Sequence, residues 1–260
     1  MDKSKRSFLK KAGLGTLGVG IGSRVATAVG QAIETEKLPE AHDGKNWAMV
    51  IDTAKCREQG GCTACIDACH VTHNVPEIDN SEEEVKWIWK ESYEHVFPTQ
   101  AHPYAPESIK DEKLLVFCNH CDRPPCVRVC PTQATWKRED GIVMMDQHRC
   151  IGCRYCVVAC PYGSRSFNWS DPRPFIKGEI RSDFPTRTKG VVEKCNFCAE
   201  RLARGLLPAC VEACAKTGAM ALVFGDPEDP NSEVSKVLKE KYTIRRKPNL
   251  GTGPQIYYTV

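Results

Sequence analysis

Cys118-Asn-His-Cys121-Asp-Arg-Pro-Pro-Cys126-Val-Arg-Val-Cys130-Pro131 is followed, nineteen residues later, by Cys150-Ile-Gly-Cys153-Arg-Tyr-Cys156-Val-Val-Ala-Cys160-Pro161. The second run has the spacing C-x2-C-x2-C-x3-C-P. The first is the same device with two extra residues before its third cysteine. Between them lie Gln133-Ala-Thr-Trp136 and Ile142-Val-Met-Met145, joined across Asp140-Gly141. Asp-Gly between two short apolar stretches predicts a hairpin.

This spacing belongs to [4Fe–4S] cluster ligation. Three closely spaced cysteines wrap a loop around one face of a cubane, with loop amides turned toward its sulfides. The fourth cysteine sits on a short helix that leads away, so it ligates the other cluster of a two-cluster unit. The proline after it turns the chain out. Run, hairpin, run is the layout of a two-cluster ferredoxin.

All sixteen cysteines of the 260 residues fall into four such runs. The outer two are Cys56, Cys62, Cys65, Cys69 and Cys195, Cys198, Cys210, Cys214. In the former, a five-residue gap carrying Gly60-Gly61 replaces the usual two. In the latter, Glu200 to Pro208 reads as a charged helical insertion. Internal repeats sort the runs into alternating types. Val50-Ile-Asp52 before Cys56 matches Met144-Met-Asp146 before Cys150, with Lys55 and Arg149 just ahead of the first cysteine. Cys118-Asn-His-Cys121 matches Cys195-Asn-Phe-Cys198, and Cys126-Val matches Cys210-Val.

A two-cluster unit needs one run of each type. The short spacer pairs runs two and three, whereas 48 residues separate runs one and two. Runs one and four then form a second unit, split by the first. The crossover rule gives four ligand sets: Cys118, Cys121, Cys126 with Cys160; Cys150, Cys153, Cys156 with Cys130; Cys56, Cys62, Cys65 with Cys214; and Cys195, Cys198, Cys210 with Cys69. The expected fold is α+β, two interleaved ferredoxin-like modules with long loop insertions. Residues 47–225 hold the double domain, with 118–161 inserted and 47–69 plus 195–225 forming the split module. Residues 226–260 form a C-terminal tail, with a helix near Ser232 to Lys241 and an extended end at Tyr257-Tyr258.

Residues 1–28 read as a leader of the twin-arginine type: Lys3, Lys5, Arg6, Lys10 and Lys11, a glycine-rich apolar run, then Ala26-Thr-Ala28. Ser4-Lys-Arg-Ser-Phe-Leu-Lys10 carries lysine in the first arginine position. Export of an already folded protein suits clusters inserted inside the cell, and implies a peripheral protein on the periplasmic face of the membrane. Gly13-Leu-Gly15-Thr-Leu-Gly18 matches a dinucleotide fingerprint, but no strand precedes it. No later stretch approaches the length of a membrane span.

The formal charge of +3 suggests no nucleic-acid groove. Disulfides would not require four groups of four. Structural zinc would not require C-x3-C-P, and no C-x-x-C-H marks a haem. His120 and His148, next to ligands, read as surface histidines rather than groups that tune a cluster. Ser81-Glu-Glu-Glu84 reads as the start of a short helix. Trp87, Trp89, Tyr93 and Phe97 read as packing over the clusters rather than as a docking surface. Trp47 to Asp52 and Ala221 to Phe224 read as strands, and Tyr162 to Lys194 as irregular. No site for chemistry on a small-molecule substrate appears, so the chain reads as a non-catalytic electron conduit.

The four runs resemble the four-cluster iron–sulfur subunits of polysulfide, tetrathionate and dimethyl sulfoxide reductases. Lys86-Trp-Ile-Trp-Lys90, Pro124-Pro-Cys-Val-Arg-Val-Cys-Pro131, Trp136-Lys-Arg-Glu-Asp-Gly141 and Phe184-Pro-Thr-Arg-Thr-Lys-Gly190 look like those of the DsrO group. These are the exported iron–sulfur subunits of DsrMKJOP complexes of dissimilatory sulfur metabolism. The resemblance implies an NrfD-type integral quinone-interacting subunit, a multihaem cytochrome c and the other DsrMKJOP subunits as partners. The alternative it leaves is the iron–sulfur subunit of a molybdopterin-containing polysulfide or tetrathionate reductase.

Overall fold

The two ends of the described chain meet in one sheet. In the computed structural model, which describes residues 46–259, the strand Ala48–Asp52 lies between Leu222–Gly225, antiparallel, and Ile256–Thr259, parallel. Thr243–Ile244 pairs on the outer side of the last strand. The leader of residues 1–28 lies outside the described residues. The central strand AMVID is buried along its whole length, so it reads as a continuous apolar run rather than an alternating one. The helix Glu233–Glu240 covers one face of this sheet, with Val234 fully buried against Ala48 and Val50.

The last segment is tied to the cysteine run at its centre. Asp122 and Arg123 donate their N–H groups to Gly253 and Thr252 carbonyls at 2.9 Å, and Gln255 N–H donates to Asn119 O at 2.9 Å. Tyr258 Oη donates to Leu115 O at 3.0 Å.

The expected hairpin is present. Thr135–Lys137 pairs antiparallel with Val143–Met145, and Gly141 turns the chain at φ +82°. A second antiparallel pair, Ile88–Ser92 with Lys113–Phe117, is not foreseen by the sequence reading. It lies in the long cysteine-free segment, whose Trp87 and Phe97 join the same core as Cys65, Cys69, Cys210 and Cys214. The helix expected at Ser81 to Glu84 is a turn. Asn80 accepts from Glu82 N–H and Glu83 N–H through its side chain and carbonyl, the local alternative that asparagine offers to a helix. The helix expected over Glu200 to Pro208 is only Ala199–Leu202; beyond it, Gly205 at φ +71° turns the chain. Tyr162 to Lys194 is irregular except for the pair Ser166–Phe167 with Val192–Glu193 and a 3-10 turn at Arg173–Phe175.

Two helix pairings organise the cysteines. Ala64–Thr72, which carries Cys65 and Cys69, packs on Ala209–Lys216, which carries Cys210 and Cys214. Pro125–Arg128 packs on Tyr155–Val158. A buried ion pair of Arg187 and Glu193, at 2.7 Å, lies within the irregular segment, and Arg187 also donates to Asn74 O, just past the helix Ala64–Thr72, at 2.6 Å. Glu193 also accepts from Trp87 Nε1 at 2.7 Å and Asn168 Nδ2 at 2.6 Å, so its charge is well solvated by donors.

Asp52 ends the central strand and starts the helix of Cys56. Its Oδ1 caps Lys55 N–H at 3.1 Å and its Oδ2 meets Lys241 Nζ at 2.7 Å. Burial opposes its ionisation, but Lys241 and the Lys55 amide outweigh it and hold the carboxyl below its ordinary value. Removing the cap by Asp52→Ala is expected to cost about 1 kcal/mol at neutral pH. Because the folded pKa is depressed, this stabilisation is present above the unfolded carboxylate value and is lost as pH falls through the folded one. Urea denaturation at pH 7 and pH 3 checks this: the gap between wild type and variant should narrow at the lower pH.

Candidate metal centres

Each cysteine run turns at the same place. The residue just before the second cysteine is left-handed in all four: Gly61 at φ +76°, His120 at +40°, Gly152 at +71° and Phe197 at +55°. Alternating right- and left-handed residues converge successive N–H groups into a concavity that suits an anion. The long first gap of run one therefore ends in the same turn as the others, because Gly60-Gly61 takes up the extra chain at positive φ. At His120 and Phe197 the conformation is costly for a side-chain-bearing residue, and packing holds it. The two rings stack on each other, centroids 3.8 Å apart and 14° from parallel, so equivalent turns of runs two and four meet face to face.

Three cavities are walled by four cysteines each. Cys118, Cys121, Cys126 and Cys160 line one with Pro124, Pro161 and Tyr162. Cys69, Cys195, Cys198 and Cys210 line another with Phe117, Phe197 and His73. Cys56, Cys62, Cys65 and Cys214 line the third with Leu115 and Leu222. Backbone amides point at sulfur in these walls: Ala221 N–H at 3.3 Å from Cys214, Ala209 N–H at 3.4 Å from Cys198, and Phe197 N–H at 3.5 Å from Cys195.

Around the remaining cysteines the arrangement is more open. Cys156 is buried with Cys126, Val143 and Val192, and Cys150 packs partly against them. Cys130 and Cys153 are partly exposed. Burial opposes ionisation of Cys130, but the N–H groups of Thr135, Thr132 and Ala134 and the Thr132 hydroxyl outweigh it and lower its pKa.

Buried thiols resist ionisation. Burial, then the charges of neighbouring cysteines, pushes Cys65 and Cys121 up to about 12. Cys195 and Cys210 are raised well above the ordinary value for the same reasons. Each of the three cavities contains at least one such thiol among its four cysteines, and all sixteen cysteines are free of disulfides. They are the soft donor set that iron–sulfur clusters take, because bound iron removes the thiol proton outright. The residues present fit that group.

Neighbouring cysteine sets lie within electrostatic reach of one another. Cys210 feels the charge of Cys65, Cys195 that of Cys118, and Cys156 that of Cys126. The order along the molecule is the Cys56 set, the Cys195 set, the Cys118 set and the Cys150 group.

The 4Fe-4S dicluster domain family matches residues 114–173 and 181–226. The Hdr-like menaquinol oxidoreductase iron-sulfur subunit 1 of Archaeoglobus fulgidus is 40% identical over 98% of this chain and 97% of its own length. A tetrathionate reductase subunit of Salmonella typhimurium is 35% identical, over 99% of this chain and 88% of the relative. Protein NrfC of Escherichia coli is 36% identical, over 99% and 95%. The chain belongs to this family of iron–sulfur subunits. Its fold is therefore that of an α+β, ferredoxin-like iron–sulfur protein, and its cofactors are [4Fe–4S] clusters, up to four.

Sequence reading of this iron–sulfur subunit misplaces one histidine, His120, and passes over His73, Arg165 and Lys194. His120 is buried, not on the surface. Its Nδ1 accepts from Val143 N–H at 3.1 Å, and burial, with Lys194 and Arg165 nearby, holds its pKa well below the ordinary value. The reason is the left-handed turn, which sends the side chain inward onto Phe197. His148 is exposed, as expected. His73 carries no signal in the sequence. Its Nδ1 donates to Cys69 O at 2.9 Å and its Nε2 meets Glu200 Oε1 at 2.9 Å. Burial opposes its protonation, but Cys198, Cys69 and Glu200 raise its pKa well above the ordinary value. Arg165 and Lys194 are buried cations. Lys194 has a signal: it stands just before Cys195, as Lys55 and Arg149 stand before Cys56 and Cys150.

Gly152 offers a local test. A Cβ there would run into the Gly190 carbonyl, and φ is +71°. Gly152→Ala is expected to lose about four iron atoms per chain, one cubane's worth. Iron analysis of wild type and variant checks this; undiminished iron would show that the turn tolerates the change.

Proposed function

We propose that this protein is an electron conduit that holds four [4Fe–4S] clusters in two interleaved ferredoxin-like modules. The reading rests on its membership of a family of iron–sulfur electron-transfer subunits of reductase complexes. The single observation that carries it is the make-up of the three cavities. In each, three cysteines of one run are joined by the fourth cysteine of another: Cys160 with the Cys118 run, Cys69 with the Cys195 run, Cys214 with the Cys56 run. By the same rule Cys130 completes the group of Cys150, Cys153 and Cys156.

When bound, each cluster supplies a site for one electron at a time. The chain's own residues do the rest. Cysteine thiolates hold the iron, and amides of Phe197, Ala209 and Ala221 donate toward sulfur. Phe117, Phe197, Leu115 and Leu222 keep water from the cavities. Such donors and such burial are what set cluster potentials. The role is relay, not substrate conversion.

The finer assignment is to a complex of the DsrMKJOP type in dissimilatory sulfur metabolism, on the periplasmic face of the membrane after export by the twin-arginine route. Electrons would pass between an NrfD-type quinone-interacting membrane subunit and a multihaem cytochrome c. The likeness to a subunit named for an Hdr-like menaquinol oxidoreductase, nearly end to end in both chains, supports it. A molybdopterin reductase of the tetrathionate type is the second reading, favoured by the 35% identity to the tetrathionate reductase relative. Co-purification separates them: cytochrome c without molybdenum supports the first, and a molybdenum-bearing subunit supports the second.

The conduit itself is tested by iron and labile sulfide. About sixteen iron atoms per chain follow from four cubanes, and four or fewer would end the reading. Cys160→Ala is expected to damage the cluster of Cys118, Cys121 and Cys126 while that of Cys150 persists. Loss of the Cys150 cluster alone, in the EPR spectrum of the reduced protein, would show the pairing to be wrong.

A further inference from the structure

Arg165 is a buried cation without a carboxylate. Its side chain is 4% exposed. Nη2 donates to Cys126 Sγ at 3.1 Å and to Thr135 Oγ1 at 2.8 Å, and Nη1 lies 3.7 Å from Met145 Sδ. No Asp or Glu among the described residues lies within ion-pair reach of it. A guanidinium this deep is costly to bury unless anions compensate it. The groups that do so are cysteines of two different runs. Burial opposes its charge, while Cys126, Cys156 and Cys118 favour it. Cys126 and Cys118 belong to the second run, and Cys156 to the third.

We propose that Arg165 is a potential-setting residue shared by the two neighbouring clusters, the one held by Cys118, Cys121, Cys126 and Cys160 and the one held by Cys130, Cys150, Cys153 and Cys156. The inference rests on the conduit reading above. Four thiolates around a cubane leave it anionic, and accepting an electron adds one more negative charge. A fixed positive charge in a low-dielectric interior stabilises the reduced form more than the oxidised one. It therefore raises both potentials and favours electrons at this half of the row. The N–H donated to Cys126 sulfur acts in the same direction on the nearer cluster. At the Cys195 set charge is met differently: the buried Lys194 spends its donors on two carbonyls, Val143 O and Cys195 O, and His73, 3.7 Å from Cys69 Sγ, is paired with the Glu200 carboxylate. Thr135 positions the guanidinium and is itself fixed, its hydroxyl donating to Met144 O at 2.6 Å.

The test is a potentiometric titration of the full-length, cluster-loaded protein followed by EPR. The two signals are assigned beforehand by those that Cys160→Ala and Cys130→Ala remove. With Arg165→Met, the reduced-to-oxidised ratio of both clusters at a fixed potential should fall by about tenfold, equivalent to 59 mV for one electron. The other two clusters should not move. Arg165→Lys, which keeps the charge, should recover most of the shift. If Arg165→Met does not retain its iron, Met145→Glu decides: a carboxylate beside the guanidinium neutralises it in place and should lower the same two potentials. Unchanged potentials in an iron-replete Arg165→Met or Met145→Glu protein overturn the proposal, as does an equal shift of all four clusters. Too little iron in the wild type would instead fault the conduit reading on which the proposal rests.

Discussion

In none of the three cysteine-walled cavities do all four sulfurs come from one run. Three sulfurs arrive on one loop, and the fourth arrives from a run between 34 and 158 residues away, as with Cys160 beside Cys126 and Cys214 beside Cys56. The fold has to bring distant helices together before any cavity has four walls. The packing of Ala64–Thr72 on Ala209–Lys216, and of Pro125–Arg128 on Tyr155–Val158, meets that requirement. Contacts of such long sequence separation carry a large loop-closure cost. Metal binding couples to them, since a site that exists only in the folded chain adds its binding energy to folding.

The rest of the architecture serves that closure. The strand Ala48–Asp52 leads into the first run and Leu222–Gly225 leads out of the fourth, and they are neighbours in one sheet. Ile256–Thr259 then adds in parallel to the other side, and the residues before it bond to the Cys118 run through Asn119, Asp122 and Arg123. The C-terminal stretch thus links the outer pair of runs to the inner pair. At the junction the rings of His120 and Phe197 stack, each on a left-handed residue that its packing must hold in place.

Charge follows the same geometry. Thiols at Cys65, Cys121, Cys195 and Cys210 are pushed up by burial, so the chain alone gives them no reason to ionise. Cations are nevertheless buried among them: Arg165 on Cys126, Lys194 beside Cys195, and protonated His73 between Cys69 and Glu200. Buried cations beside neutral thiols would be poorly compensated. Beside thiolates held by iron they become counterions, and this is the physical sense in which the polar interior of this protein presupposes its cofactor.

Much of this is legible in the residues themselves. Local spacing announces a cluster loop because three ligands on one loop must sit at cubane distances whatever surrounds them. The Asp140-Gly141 hairpin, the strands at Ala48–Asp52 and Leu222–Gly225, and the helix at Glu233–Glu240 follow from local pattern for the same reason. What the spacing leaves out depends on contacts between segments far apart in the chain. The pairing of Ile88–Ser92 with Lys113–Phe117, the parallel docking of the last strand, and the burial of His120, His73, Arg165 and Lys194 are of that kind. A histidine beside a cysteine looks the same in sequence whether its ring faces water or a phenylalanine. Only the positive φ of the turn, and the neighbouring run that supplies the phenylalanine, decided that it faces inward.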